Sequence, residues 1–380
     1  MKIHPVLAMA LSALSAGILI SCVKPADDTQ ASVNESQEVA PQTTTTEQKT
    51  DSTSSRITPV TLSAETESSY LTHVANEIVI PAYADAAKQS TLLHDLAQAS
   101  CQQAPVSGAE LQALRDQWLV LAQAWAAAEM INFGPATQSM SNLYINYYPD
   151  ERGLVHGGVA DLIAANPMLT KEQLANESAI VQGVPGLEEA LYANESLDAG
   201  QCAYVISASD ALADRLKSIE NNWKSNAIEL LAIDKTADSD QGLNQWFNSL
   251  LSLIETMKAS AIDQPLGLTG KAKGHVPAAT AEQSRAIINA KLATLNKVLT
   301  DPVLTAILNS NEDSDIGNTL STALAEATTL LAQMPEDISK ADKATQQQLL
   351  EQLAEVTRLM KRELIPALGI RVGFNSTDGD

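Results

Sequence analysis

Hydrophobic residues recur at alternating spacings of three and four in several long segments of this chain. The segment that begins at Ala109 is the clearest, and it stops at the helix-ending sequence Phe133-Gly134-Pro135. Its apolar stripe is the pattern of a helix packed in a bundle, and it consists of Leu111, Leu114, Trp118, Leu121, Trp125 and Ala128.

Three further segments carry the same helical periodicity. They cover about 243–257, 288–299 and 349–364, and the last of them is predicted to end at Pro366. We find no convincing pair of strands, so the predicted fold class is all-α. The remaining predicted helices cover about 69–98, 155–165, 171–179, 186–194, 203–231 and 317–333.

The length of the helical part predicts two helical-bundle domains. The roughly 310 residues after position 66 exceed the usual size of one domain. A polar break over 234–240 separates two long helical patterns. We therefore predict an N-terminal bundle over 67–232 and a C-terminal bundle over 233–380.

The N-terminus has the pattern of a bacterial export signal. Lys2 is followed by an apolar stretch that is too short for a membrane span of about 20 residues. The stretch ends Leu19-Ile20-Ser21-Cys22, which resembles a lipobox. We predict a signal peptide over 1–21 and lipidation at Cys22, which would anchor the protein in the cell envelope; the alternative is an ordinary signal with a chance cysteine. Because Val23 rather than Asp follows, we expect the outer membrane, on either its periplasmic or its surface face.

Residues 22–66 are predicted to be a disordered tether. The segment is rich in Thr, Ser, Gln and acidic residues and has few large apolar groups. It therefore cannot offset the entropy cost of folding. Its expected role is to hold the folded part away from the lipid surface.

The net charge of −22 limits the classes of partner. An acidic protein repels nucleic acid and anionic lipid surfaces, so neither is an expected partner. The charge is compatible with cation binding or with a solvated acidic surface. The other two cysteines, Cys101 and Cys202, are expected to form a disulfide in an oxidising compartment, with two buried thiols as the alternative.

The segment from Val181 to Tyr192 contains the most informative pattern. Pro185 suits the first position of a helix, and Glu188 would then lie in the first turn, where the helix dipole keeps a carboxylate ionised. Helical geometry places Glu189 opposite the apolar face, in water. Glu188 falls at the boundary, where it is either a helix cap or a ligand-binding group.

Four segments of the chain resemble the imelysin family, named for an insulin-cleaving membrane protease and including components of iron-uptake systems. One of them carries Gly183, Pro185 and Glu188 where the family has Gly-x-His-x-x-Glu. The histidine is therefore replaced by proline, which can neither bind a metal nor act as a base. The four segments are 74–83, 118–153, 183–192 and 368–380, and together they span most of residues 67–380.

The resemblance implies two functional hypotheses. The first is a non-catalytic binding protein associated with iron or metal uptake, which would pass a di- or trivalent cation to a transporter or receptor. Its ligand would lie between the two bundles, with Glu188 as the candidate metal ligand. The second is a metal-dependent peptidase, and a helical adaptor that binds only protein is a third. The candidate ligand-binding residues are Gly183, Pro185, Glu188, Tyr192, Glu129, Asp150 and Arg152.

Overall fold

A computed structural model describes residues 59–234, 241–310 and 315–371. The predicted signal peptide, Cys22, most of the predicted tether and residues 372–380 lie outside the described residues. None of the described helices is long and apolar enough to cross a membrane.

Helices make up nearly all of the regular structure. The α-helices are α1 Ala64–His73, α2 Ile80–Ser100, α3 Gly108–Ala128, α4 Ser141–Ile145, α5 Leu154–Ala165, α6 Lys171–Leu174, α7 Gly183–Tyr192, α8 Ala199–Leu230, α9 Leu243–Thr256, α10 Gln264–Leu266, α11 Ser284–Leu299, α12 Pro302–Leu308, α13 Ile316–Ala332, α14 Lys343–Leu359 and α15 Ile365–Ala367. The π-helical turns are Val74–Val79, Met257–Asp263 and Met360–Leu364, and the 3-10 turns are Gly134–Ala136, Gln138–Met140, Ala179–Val181 and Ile338–Lys340.

The predicted all-α class is confirmed, with one short exception. Strands β1 (Val106–Ser107) and β2 (Ser196–Leu197) form a two-residue antiparallel pair that the periodicity did not reveal. The predicted Cys101–Cys202 disulfide is present, with the two Cα atoms 5.6 Å apart. The pair and the disulfide together join the connection between α2 and α3 to the start of α8.

Three prolines lie in helical segments that begin directly after a π-helical turn. The three are Pro81, Pro265 and Pro366, and each is the second residue after the end of a π-helical turn. The turn displaces the regular hydrogen-bond ladder just where the proline lacks its donor, so the chain stays helical through the proline. After Pro81 the helix continues to Ser100, whereas α10 and α15 end one residue after their prolines. The helix predicted to end at Pro366 ends at Ala367, one residue later.

The described residues belong to one compact unit with a continuous apolar core. Helix α2 packs against α3 and α8, while α11 packs against both α3 and α13. Trp118, Trp223 and Trp246 are completely buried in this core. The predicted boundary at 232/233 lies inside the unit, and the division into two bundles stays a prediction.

The ordered body begins before the predicted tether boundary at 66. The Ser63 side chain accepts a hydrogen bond from the Thr66 amide at the start of α1. The Val60 amide donates to the Ala367 carbonyl at 2.7 Å, which ties this segment to α15. The last residues assigned to the tether therefore pack on the folded body.

Candidate functional site

A cavity of about 140 Å³ lies among α3, α5, α7, α11 and the loop over 275–280. Its lining comes from both sides of position 232/233, the boundary predicted between the two bundles. Much of its wall is apolar, formed by Trp118, Ala122, Trp125, Ala126, Val155, Val184, Pro185 and Ile287. Its charged and titratable lining side chains are Glu129, Asp150, His156, Glu188, Glu189, His275 and Lys291, with the phenols of Tyr147 and Tyr148.

Gly183 places α7 beside this cavity without lining it. Its φ of +69° is left-handed, and an added Cβ would lie 2.2 Å from the Ile145 carbonyl oxygen. Only glycine fits such a close approach between two backbone segments. Pro185 is the third residue of α7 rather than the first, but the first turn still needs no donor from it.

Glu188 is buried in the cavity wall, with 9% of its surface exposed. Its Oε1 accepts a hydrogen bond from the Ala281 amide at 3.0 Å. Because α7 begins at Gly183, Glu188 lies beyond the first turn, and the predicted first-turn position is wrong. Burial raises the pKa of Glu188 to about 7, against the lowering effect of its backbone hydrogen bonds.

Glu189 is also buried, so the prediction that it points into water is wrong. Its Oε1 lies 2.5 Å from His156 Nδ1 on α5, and its Oε2 accepts a hydrogen bond from the Thr280 hydroxyl at 3.1 Å. Periodicity identified only the face of α7 that packs on the core. The opposite face is covered by α5 and by the loop before α11.

Glu129 and Lys291 form an ion pair at one side of the cavity. Lys291 Nζ lies 2.6 Å from Glu129 Oε2, and Asn146 donates to Glu129 Oε1 at 3.0 Å. The Lys291 side chain is only 8% exposed, so the carboxylate compensates a nearly buried ammonium group. Glu129 is thus a structural partner in the pocket rather than a free surface group.

Two residues of the segment before α5 are held by hydrogen bonds. Asp150 is buried and accepts the Val155 amide at 2.9 Å, at the start of α5. The Tyr148 hydroxyl lies within donating distance of the Ser260 carbonyl (2.8 Å) and the His275 carbonyl (3.0 Å). Burial raises the pKa of Tyr148, so the phenol stays protonated.

Tyr192 and Arg152 do not line the cavity, although both were candidates. The Tyr192 hydroxyl donates to the Arg115 carbonyl at 2.9 Å, and its ring packs edge-on against Trp118. Burial raises the pKa of Tyr192 to about 12. Arg152 is exposed to solvent. Their nearness in sequence to the site residues did not bring these side chains into the pocket.

Comparison with known proteins identifies the family. The family model described as Imelysin (Peptidase_M75) matches residues 79–361. The chain belongs to the imelysin family. The crystal structure of an imelysin-like protein from Psychrobacter arcticum 273-4 is 79% identical, with a TM-score of 0.83 over 84% of this chain and 100% of that chain. No curated protein matches the chain.

The pocket residues do not fit a metal ion held by protein ligands, the arrangement that the imelysin resemblance suggested. Among residues 59–234, 241–310 and 315–371, no group of three His, Cys, Asp or Glu side chains is placed to hold a metal. The acidic groups already have protein partners, because Glu188 accepts an amide and Glu129 pairs with Lys291. The candidate metal ligand Glu188 therefore lacks companion ligands in the described structure.

Sequence reasoning missed three residues of the imelysin-family pocket. His156 and Thr280 contact Glu189, and Lys291 contacts Glu129, each from more than 30 positions away along the chain. A local motif search could not find these contacts, because the fold alone brings them together. The one available signal was a lysine on the apolar stripe of α11, next to Leu292.

The raised pKa of Glu188 predicts an unusual pH dependence of stability. Burial raises the pKa of the Glu188 carboxyl from its ordinary value of 4.5 to about 7 in the folded protein. The folded state therefore binds a proton that the unfolded state does not bind between these two values. We expect the free energy of unfolding to increase as pH falls through this window, by roughly 3 kcal/mol at most.

Denaturant unfolding of the wild type and Glu188→Gln between pH 8 and pH 5 would test this prediction. Glutamine keeps the acceptor for the Ala281 amide but cannot ionise, so the difference between the two proteins isolates the carboxyl group. We expect the wild type to gain stability relative to the variant as pH falls. Parallel curves, or a relative loss, would contradict the assignment.

Proposed function

We propose that this chain is an exported, lipid-anchored binding protein of the imelysin family that captures a small ligand in the Glu188 pocket without catalysis. The export signal and the lipobox ending at Cys22 support the anchored location, with a membrane attachment through the lipid. The iron-uptake relatives in the family support a role in iron or metal uptake, together with a transporter or receptor.

The observation that carries the proposal is the largely apolar cavity whose acidic groups already have protein partners. Its volume of about 140 Å³ accommodates a molecule of roughly the size of a benzene ring. Binding pockets of this kind combine apolar walls with a few polar groups that orient the ligand. A bare cation would find no set of protein ligands among the described residues, so the pocket favours a small organic molecule over a free ion.

The proline in place of the family histidine is the second support. Pro185 lines the cavity, and its ring can neither ligate a metal nor transfer a proton. It adds apolar surface next to Glu188. The substitution favours binding over the hydrolysis that the family histidine would support.

A cavity-filling variant tests the proposal. Ala126 is buried in the cavity wall, and Ala126→Leu would add three carbon atoms there. Ala127 does not line the cavity and is partly exposed, so Ala127→Leu is the matched control. We expect the full-length wild type and Ala127→Leu, purified from native membranes, to release the same small molecule on denaturation, and Ala126→Leu to release none.

Calorimetric titration of the same three proteins and of Glu188→Ala with ferric citrate and with ferrous sulfate tests the proposed role in iron uptake. Binding of ferric citrate that Ala126→Leu abolishes would support capture of a chelate. Binding of ferrous ion that is lost only in Glu188→Ala would instead support a protein-held cation. Absence of any pocket-dependent ligand would contradict the binding proposal.

The alternative is a metal-dependent peptidase, and one contact favours it. His156 Nδ1 lies 2.5 Å from Glu189 Oε1 at the cavity, which is the geometry of a general base oriented by a carboxylate. Incubation of the full-length protein with unfolded polypeptides, with and without chelator, distinguishes the two functions. Chelator-sensitive cleavage that is lost in His156→Ala would establish the peptidase and overturn the binding proposal.

A further inference from the structure

A second groove, separate from the Glu188 pocket, surrounds Arg215 on α8. Its volume is about 550 Å³, and it is lined by α6, by α8 and by the segment over 135–141. It shares no lining residue with the Glu188 pocket. A ligand in this groove would therefore bind independently of the first site.

Arg215 is partly buried and has no acidic partner among the described residues. Its guanidinium carbon lies 4.7 Å from the centre of the Tyr144 ring, and the residue is only partly exposed. Across the described parts of the chain, no carboxylate pairs with it and no acceptor takes a hydrogen bond from it. In a protein with a net charge of −22, an unpaired and partly desolvated arginine is unexpected.

The acidic residues near Arg215 are already occupied or exposed. Asp214 and Asp210 pair with Lys171 at 2.7 and 3.0 Å, and neither forms an ion pair with Arg215 in the described structure. Glu172 lines the groove but is exposed to solvent. The two basic and two acidic lining residues leave the groove locally neutral within a strongly acidic molecule.

The remaining polar lining is neutral and able to donate hydrogen bonds. The hydroxyl groups of Ser139, Ser141 and Ser218 line the groove and make no hydrogen bond within the described residues. Ser139 and the following Met140 both have left-handed backbone conformations, with φ of 51° and 56°. Such conformations cost about 1–2 kcal/mol each outside glycine, yet here they place the Ser139 side chain in the groove.

We propose that the Arg215 groove binds a small anion that carries a carboxylate or a phosphate group. A guanidinium that stacks by one face on a tyrosine ring keeps its N–H edge available for two parallel hydrogen bonds to such a group. The serine hydroxyls supply further donors to the same oxygen atoms.

Direct titration with inorganic phosphate and with acetate tests this site in the full-length protein. Arg215→Gln removes the guanidinium, and Arg362→Gln is the matched control because Arg362 is an exposed arginine outside the groove. We expect the wild type and the control to bind one anion with equal affinity. Loss of a charged hydrogen bond is expected to weaken binding by Arg215→Gln about tenfold or more.

Ser218→Asp provides a second variant that leaves the packing of Arg215 intact. Ser218 is exposed and lies three residues after Arg215 on α8, so a new carboxylate there would pair with the guanidinium. We expect it to abolish anion binding, whereas Ala126→Leu in the other pocket leaves binding unchanged.

The comparison of the two anions distinguishes a phosphate ligand from a carboxylate ligand. Saturable binding of neither anion, or equal binding by Arg215→Gln, Ser218→Asp and the wild type, would overturn the proposal.

Discussion

Removal of the Cys101–Cys202 disulfide is expected to lower the free energy of unfolding by about 4–5 kcal/mol. The crosslink joins residues 101 positions apart, and it therefore removes much conformational freedom from the unfolded chain. In the folded protein the β1–β2 pair holds the same two connections together. The double variant Cys101→Ala/Cys202→Ala should therefore keep the native fold, and its denaturant unfolding midpoint should fall.

Reduction supplies the control for this prediction. The wild type in strong reductant should unfold at nearly the denaturant concentration of the double variant, and reductant should not affect the variant itself. A difference of less than about 1 kcal/mol between the oxidised wild type and the variant would contradict the loop-entropy account.

Gly183→Ala is expected to lower the free energy of unfolding by roughly 2–5 kcal/mol, from left-handed strain and overpacking together. The added Cβ would lie 2.2 Å from the Ile145 carbonyl oxygen and 2.5 Å from the Tyr144 carbonyl oxygen. These are backbone atoms, so no side-chain rotation can relieve the contact. The start of α7 must move, and Glu188 must move with it. Thermal and denaturant unfolding measure the loss of stability.

Gly157→Ala is the matched control for this substitution. Gly157 lies within α5, and a Cβ there would meet no atom within 4 Å. Alanine in a helix interior is favoured over glycine by roughly 0.5–1 kcal/mol, so this variant should be as stable as the wild type or slightly more stable. Equal losses in both variants would show that the close approach at Gly183 is not the cause.

Several helices could be located from periodicity alone, because each buries one regular apolar stripe. Helix α3 contains every residue of the predicted stripe from Leu111 to Ala128, and all six are buried. Helix ends were less accurate. Helix α3 ends about one turn before Phe133, whereas the last helix ends at Ala367, one residue after the predicted Pro366. Pro81 does not end its helix, because the π-helical turn before it displaces the hydrogen bond that the proline cannot make.

Part of the candidate site could be predicted from the sequence, because the residues that align with the family motif all lie on α7. Glu188, Pro185, Glu129 and Asp150 line one cavity, as a shared site requires. The protonation behaviour of Glu188 was predicted with the wrong sign, because the helix dipole was considered without burial. The predicted exposure of Glu189 failed for a related reason, since a one-helix projection cannot show what covers the opposite face.

The sequence by itself determined the helical class, the family and the segment that carries the functional motif. These properties depend on local periodicity and on residue order, which are readable along the chain. The tertiary structure alone decided which groups meet at the pocket, including His156, Thr280 and Lys291. It also decided that the pKa of Glu188 is raised and that Arg215 contacts the Tyr144 ring. Both depend on distances between segments that lie far apart in sequence, because these distances set how far a group is desolvated and which partners it meets.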